Sequence, residues 1–167
     1  MRWASIDAAK GVSGLAVWDG KDLVDVFDVK GQDWPTWRAA LHGLSGVVIE
    51  SGYVGKNVST GIVLADARGQ IKGFAKAKGV SIWTEMNASR WRSAIGIPGN
   101  NRRLAKQAAR GVCRWLASDP ATRKPGPTDL YLPRAISGDG PLSEDSCEAI
   151  CIGVAFVLSR LSSRFLT

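Results

Sequence analysis

The chain has 167 residues, 45% of them hydrophobic, a formal net charge of +7 and an isoelectric point near 9.7. The length suits one domain over residues 1–167, and the hydrophobic content argues against an intrinsically disordered chain. The basic balance favours an anionic partner, most often nucleic acid, although charge alone also fits a basic protein with no such partner.

Three short apolar strands are predicted at the start of the chain, over 2–8, 13–18 and 22–29, with the turn Asp19-Gly20-Lys21 between the last two. A short helix is predicted over 35–41. Residues 46–50 follow as a fourth strand, and their unbroken apolar run suits a parallel strand that is covered on both faces.

Helical spacing of apolar and small residues predicts a helix from about 59 to 78, followed by a fifth strand over 80–84. Residues 101–117 predict a basic amphipathic helix, although an ordinary solvated helix face is equally compatible. The residues expected to face inward are Leu104, Ala108, Val112, Trp115 and Leu116. Residues 118–141 contain five of the seven prolines and predict a loop. Ser143 is expected to cap a final buried helix from 144 to about 161.

The sequence indicates a cytoplasmic protein with no membrane partner. The first acid, Asp7, precedes any apolar signal segment, and the apolar run over 149–158 is too short to cross a bilayer. Cys113, Cys147 and Cys151 are odd in number, and we expect free thiols in the core. A single histidine in the chain leaves no complete set of zinc ligands.

Four acidic residues are candidates for one shared site. Asp7 lies in the first strand, Glu50 ends the fourth, and Asp145 and Glu148 share one face of the last helix. Carboxylates at close range repel each other, and hard divalent cations such as Mg²⁺ relieve that repulsion. Two such ions about 3.5–4 Å apart support phosphodiester hydrolysis. Alternatively, the helix acids complement the positive end of the helix and Asp7 is a strand-end turn residue.

Four segments resemble the RuvC family of Holliday-junction resolvases. They are "SIDAAKGVSGLAVW", "VVIESGYVGKN", "LADARG" and "SEDSCEAICIG", and the second is the most specific match. The resemblance covers most of the chain and implies an α/β RNase H-like fold, with a mixed five-stranded sheet of three antiparallel strands first and then parallel strands, flanked by helices. It also implies that Asp7, Glu50, Asp145 and Glu148 are catalytic carboxylates that bind metal.

The same resemblance implies contacts with DNA. Tyr53 matches a family position whose aromatic ring stacks on an unpaired base at the junction, although a partly buried strand-end tyrosine is the alternative. Lys56 falls where a family lysine lies close to DNA, and Asn57 follows it in the same motif.

A second basic segment, "RWRSAIGIPGNNRR", resembles the family's stretch of catalytic or phosphate-contacting lysines. Arg92 and Arg102 are the nearest matches here, with Arg103 as the near alternative. Arginine stabilises phosphate charge but does not donate a proton as lysine does. Glu148 stands where the family usually has aspartate or histidine. The stretch between Asp7 and Glu50 is also shorter than in typical bacterial members, which suggests a divergent, phage-type relative.

We therefore expect a Mg²⁺-dependent endonuclease that resolves Holliday junctions or other branched DNA by phosphodiester hydrolysis. A two-ion site is expected, with Mn²⁺ able to substitute. Paired nicks need two active sites, so the resemblance implies a homodimer. The alternatives are an RNase H-like nuclease for RNA–DNA hybrids or flaps, and a protein that binds branched DNA without cutting it. An actin-like fragment ranks lower, because a second glycine-rich phosphate motif is missing.

Overall fold

The computed structural model describes residues 1–52, 58–97, 102–117 and 142–164, which form five strands and five helices. The strands are β1 Arg2–Asp7, β2 Val12–Asp19, β3 Asp22–Lys30, β4 Gly46–Ser51 and β5 Ser81–Asn87. The helices are α1 Trp34–Leu41, α2 Val58–Ala77, α3 Ala88–Ala94, α4 Arg102–Ala117 and α5 Glu144–Arg164.

All five strands belong to one mixed sheet with the order β3-β2-β1-β4-β5. The pairs β1/β2 and β2/β3 are antiparallel, whereas β1/β4 and β4/β5 are parallel. The predicted α/β fold with this arrangement of strands is therefore confirmed. Ile6 on β1 pairs with Ile49 on β4, so the residues that follow them, Asp7 and Glu50, lie next to each other at the same end of the sheet.

Helices cover both faces of the sheet. Residues of α3, α4 and α5 share one core cluster with Trp3 and Trp18, while residues of α1 and α2 share the other with Ile6 and Ile49. Helix α5 packs closely against β2, because a Cβ atom added to Gly153 would lie 2.3 Å from the ring of Trp18. The predicted burial of the last helix is thus confirmed.

The first turn of α5 is anchored to the sheet by hydrogen bonds. Ser143 caps the helix as predicted, since its hydroxyl oxygen accepts from the backbone N–H of Ser146 at 3.0 Å. The hydroxyls of Ser143 and Ser146 both donate to the same carboxylate oxygen of Asp28 on β3, each at 2.6 Å. Further along, the Ser5 hydroxyl of β1 donates to the Ala149 carbonyl at 2.6 Å. These hydrogen bonds hold the N-terminal part of α5 against β1 and β3.

Helix α3 was not predicted. Strand β5 continues to Asn87, three residues beyond the predicted end, and the Asn87 side chain caps α3 by accepting from the backbone N–H of Arg90 at 2.7 Å. The helix has only seven residues, so the segment offers too few turns for a periodic apolar pattern. Its Trp91 is fully buried.

The predicted inward face of α4 is confirmed for Leu116, which is buried, and wrong for Leu104. Ala105, Ala109 and Cys113 are buried, whereas Leu104 is 45% exposed. Small residues at the contact let α4 approach α5 closely. The thiol of Cys113 donates to the Cys147 carbonyl across this interface.

The three cysteines are free and buried, as expected. The predicted loop over 118–141 lies outside the described residues. Within the described part of the chain, every helix is too short or too polar to cross a membrane. The cytoplasmic location stays a prediction.

Candidate metal centre

Three of the four predicted acids converge at the end of the sheet where β1 and β4 finish. Asp7, Glu50 and Glu148 each contribute a carboxylate oxygen, and these three oxygens lie within 4.8 Å of one another. Asp7 and Glu148 are each only 8% exposed, and Glu50 is half-buried. The cluster thus joins residues 7, 50 and 148, which are far apart in the chain.

Backbone packing explains why Glu148 reaches the sheet. Gly14, on β2 opposite Asp7, lacks a side chain, and a Cβ atom there would lie 2.0 Å from the backbone oxygen of Asp145. The start of α5 therefore lies directly on β2 beside the end of β1. From this position Glu148 points to Asp7 and Glu50.

Asp145 lies beside this cluster. Among the described residues, the group of close carboxylates consists of Asp7, Glu50 and Glu148 and does not include Asp145. Burial raises the pKa of Asp145, the neighbouring charge of Lys106 on α4 opposes the rise, and Glu148 and Asp28 add to it. Asp145 also raises the pKa of Asp7, so its charge is felt within the cluster. The predicted convergence of four acids is realised for three of them, with the fourth at the edge.

The cluster resists carrying its full negative charge. Burial raises the pKa of Asp7 well above its ordinary value, and the charges of Glu50 and Glu148 raise it further. Burial, and then the charge of Glu148, raises the pKa of Glu50 to about 6, against the lowering effect of a hydrogen bond from Trp91 and the charges of Arg92 and Arg68. These acids need a positive charge beside them to ionise fully near neutral pH.

Arg92 is the predicted basic residue that the structure brings to this site. Its guanidinium lies 3.7 Å from Oε1 of Glu148, and it stacks over the Trp91 ring with its central carbon 5.0 Å from the centroid. Oε1 of Glu148 and Nε of Arg92 are both buried without a hydrogen-bond partner. Arg92 therefore offsets only part of the negative charge of the cluster and leaves Oε1 of Glu148 without a hydrogen bond.

Two residues at the site were not predicted from the sequence. Trp91 donates a hydrogen bond from its indole N–H to Oε2 of Glu50 at 3.2 Å. Arg68 of α2 lies against Gly52, where an added Cβ would be 1.8 Å from the guanidinium, and its charge lowers the pKa of Glu50. Arg68 lies within the quoted segment "LADARG" but carries no signal there that separates it from other surface arginines.

The remaining predicted DNA-contacting residues are placed only in part. Tyr53, Lys56 and Asn57 lie outside the described residues. Arg102 begins α4, but its side chain is outside the described part of the chain, and Arg103 is exposed on the same helix. Their contacts with DNA stay predictions.

The donor set fits a hard divalent cation. It consists of carboxylate oxygens alone, which Mg²⁺ and Mn²⁺ accept, and it lacks the nitrogen and sulfur donors of a typical zinc site. Oε1 of Glu148 is buried without a hydrogen-bond partner, and burial and the neighbouring carboxylates raise the pKa values of Asp7 and Glu50, which a bound cation would lower. Asp7, Glu50 and Glu148 are thus suited to hold such an ion.

Known structures share this architecture. The chain is similar to Thermus thermophilus RuvC in complex with a Holliday junction substrate, with 13% identity, 96% of each chain covered and a TM-score of 0.59. The chain has the RuvC-like RNase H fold. It is also similar to a fowlpox virus resolvase in complex with Holliday junction DNA, with 14% identity, 96% of this chain and 99% of that chain covered, and a TM-score of 0.62.

The RuvC-like fold that the sequence motifs implied is therefore confirmed over nearly the whole chain. At the level of sequence, neither a protein-family model nor a curated protein matches it.

Proposed function

We propose that the protein is a metal-dependent, structure-selective endonuclease that resolves Holliday junctions or closely related branched DNA. The convergence of Asp7, Glu50 and Glu148 at one end of a RuvC-like sheet is the observation that carries the proposal. The similarity to two resolvases in complex with junction DNA supports the choice of substrate. The formal charge of +7 suits a polyanionic partner.

Mg²⁺ is the proposed cofactor, with Mn²⁺ as a substitute, and a second ion bound with the help of Asp145 is part of the proposal. Such ions supply the positive charge that activates water and stabilises the departing oxygen in phosphodiester hydrolysis. The protein's own part is to hold the carboxylates at close range in a largely buried setting. Asp7, Glu50 and Glu148 are the proposed ligands, and the packing of α5 on the sheet positions Glu148 beside the other two.

The basic residues near the cluster are proposed to hold the DNA backbone. Arg92 lies beside Glu148 and carries a charge that suits a phosphate next to the scissile bond. We propose Arg102 and Arg103 of α4, together with Lys56 and Asn57, as further backbone contacts, and Tyr53 as a base-stacking residue. Binding should weaken as salt is raised, because phosphate contacts release counterions.

Resolution by paired nicks needs two active sites on one junction, so we propose a two-fold homodimer as the working form. The test is to incubate the protein with a labelled immobile four-way junction, a matched linear duplex and an RNA–DNA hybrid. Each substrate is assayed with Mg²⁺ and with EDTA, and Asp7→Asn serves as the inactive control. Symmetric nicks confined to the junction, dependent on Mg²⁺ and lost in the variant, are the expected result.

Three other outcomes would contradict the proposal. Tight junction binding without cleavage under any metal condition would make the protein a branched-DNA-binding protein. Cleavage of the hybrid alone would place it among ribonucleases. Retention of full cleavage in Asp7→Asn would remove the acidic cluster from the chemistry.

A further inference from the structure

The indole of Trp91 makes a specific contact with the acidic cluster. Its N–H donates to Oε2 of Glu50 at 3.2 Å, and the ring is fully buried. Trp91 lies in α3 and Glu50 near the end of β4, so the bond joins two residues that are 41 positions apart in the chain. The contact is one of the factors that favour the charged form of Glu50.

A glutamate side chain at a strand end has three rotatable torsions, and its carboxylate does not orient itself. A tryptophan N–H is well suited to fix it, because the indole only donates and its ring cannot turn within a packed core. Holding Oε2 leaves Oε1 of Glu50 available to a cation. Outer contacts of this kind orient metal ligands and tune metal affinity.

We propose that Trp91 is a positioning residue for Glu50, fixing the carboxylate in the orientation in which it binds a divalent cation. This inference rests on the proposed function of the cluster. The same ring also contacts the guanidinium of Arg92 at 5.0 Å. One buried side chain therefore contacts both an acid and a base of the site.

Trp91→Phe tests the proposal, because phenylalanine keeps an aromatic ring in the core and removes the N–H donor. The chain offers a matched control in Trp37→Phe. Trp37 is also fully buried and donates its indole N–H, to the Gly31 carbonyl at 3.1 Å, but it packs in the cluster on the other face of the sheet. Both variants lose one indole and one hydrogen bond.

Binding of Mn²⁺ to the full-length protein, measured by titration calorimetry without DNA, is the direct readout. We expect Trp91→Phe to weaken Mn²⁺ binding about tenfold, the lower end of the effect of losing an outer contact to a metal ligand. Trp37→Phe should bind Mn²⁺ as the wild-type protein does, even where both variants lose thermal stability. In junction cleavage, Trp91→Phe should need about tenfold more Mn²⁺ for half-maximal rate, with most of kcat recovered at saturation.

An isosteric replacement keeps the test sharp where Trp91→Phe folds poorly. Benzothienylalanine at position 91 has sulfur in place of the N–H and preserves the ring shape, so it should reproduce the loss of Mn²⁺ affinity. Unchanged affinity in this variant and in Trp91→Phe, or an equal loss in Trp37→Phe, overturns the positioning role alone. A wild-type protein that binds no Mn²⁺ and cuts no junction overturns both this inference and the proposed function.

Discussion

Replacing Glu50 with glutamine should stabilise the metal-free protein while it removes a proposed metal ligand. The pKa of Glu50 is raised from an ordinary value of 4.5 to about 6, first by burial and then by the charge of Glu148. The folded state therefore binds the proton more tightly than the unfolded state does. The resulting stability is fully present below about pH 4.5 and is lost as pH rises through about 6.

The magnitude follows from the two pKa values. One pKa unit corresponds to about 1.4 kcal/mol, so the ionised Glu50 costs the metal-free protein about 2 kcal/mol at pH 7.5. Glutamine carries no charge and keeps an oxygen to accept from Trp91. Metal-free Glu50→Gln should therefore unfold about 4–8 °C above the wild-type protein at pH 7.5 and at nearly the same temperature at pH 4.5.

Thermal unfolding in EDTA over pH 4.5–8, repeated in Mg²⁺, measures both effects. Mg²⁺ should raise the Tm of the wild-type protein by mass action and raise that of Glu50→Gln far less. Glu85→Gln is the control, because Glu85 is an exposed acid paired with Lys72 at 2.8 Å, and its loss should cost at most about 1 kcal/mol. A Glu50→Gln protein that is less stable at pH 7.5 in EDTA, or a difference that does not change with pH, would refute the reasoning.

Three further experiments with substituted proteins probe the same site. Asp7→Asn should abolish Mg²⁺-dependent junction cleavage and leave junction binding in EDTA intact. Nicking and gel-shift assays on one preparation measure the two effects, and cleavage near the wild-type rate would contradict the proposed metal site. Glu148→Gln should weaken Mn²⁺ binding more than Asp145→Asn does, because Glu148 belongs to the group of three close carboxylates and Asp145 lies beside it. If calorimetry shows the larger loss of affinity in Asp145→Asn, the proposed set of metal ligands is wrong. Gly14→Ala should cost about 1–3 kcal/mol, since its Cβ would meet the Asp145 backbone at 2.0 Å. Gly11→Ala, with open space around it, should unfold as the wild-type protein does, and equal Tm values for the two alanine variants would refute the close contact.

The strands were predictable because their signals are local. Apolar runs, some of them bounded by glycine or aspartate, predicted all five strands to within a few residues. Helix α3 was missed because seven residues, three of them arginine or tryptophan, hold no periodic pattern. Leu104 of α4 was wrongly expected to face inward, because a hydrophobic pattern ranks the buried Ala105 and Ala109 below leucine.

The candidate site was predictable in its charges but not in their arrangement. Asp7 and Glu50 follow Ile6 and Ile49, and these two residues pair only because β4 lies beside β1 in the sheet, which strand assignment by itself does not give. The spacing of Asp145 and Glu148 puts both on one face of α5, but it does not say which side chain reaches the sheet. The close approach of α5 to Gly14 decides that, and the approach depends on tertiary packing.

The contact of Trp91 with Glu50 could not be predicted from the sequence. A buried tryptophan in a short basic segment has an ordinary core role as its default interpretation, and the residue does belong to the core cluster under α5. What distinguishes it is the direction of one N–H toward Glu50. That direction depends on the capped start of α3 after β5, on the parallel pairing of β4 with β5, and on the rotamer of a single ring. Each contributes to orienting a proposed metal ligand, and none of them can be read from the order of residue types in the sequence.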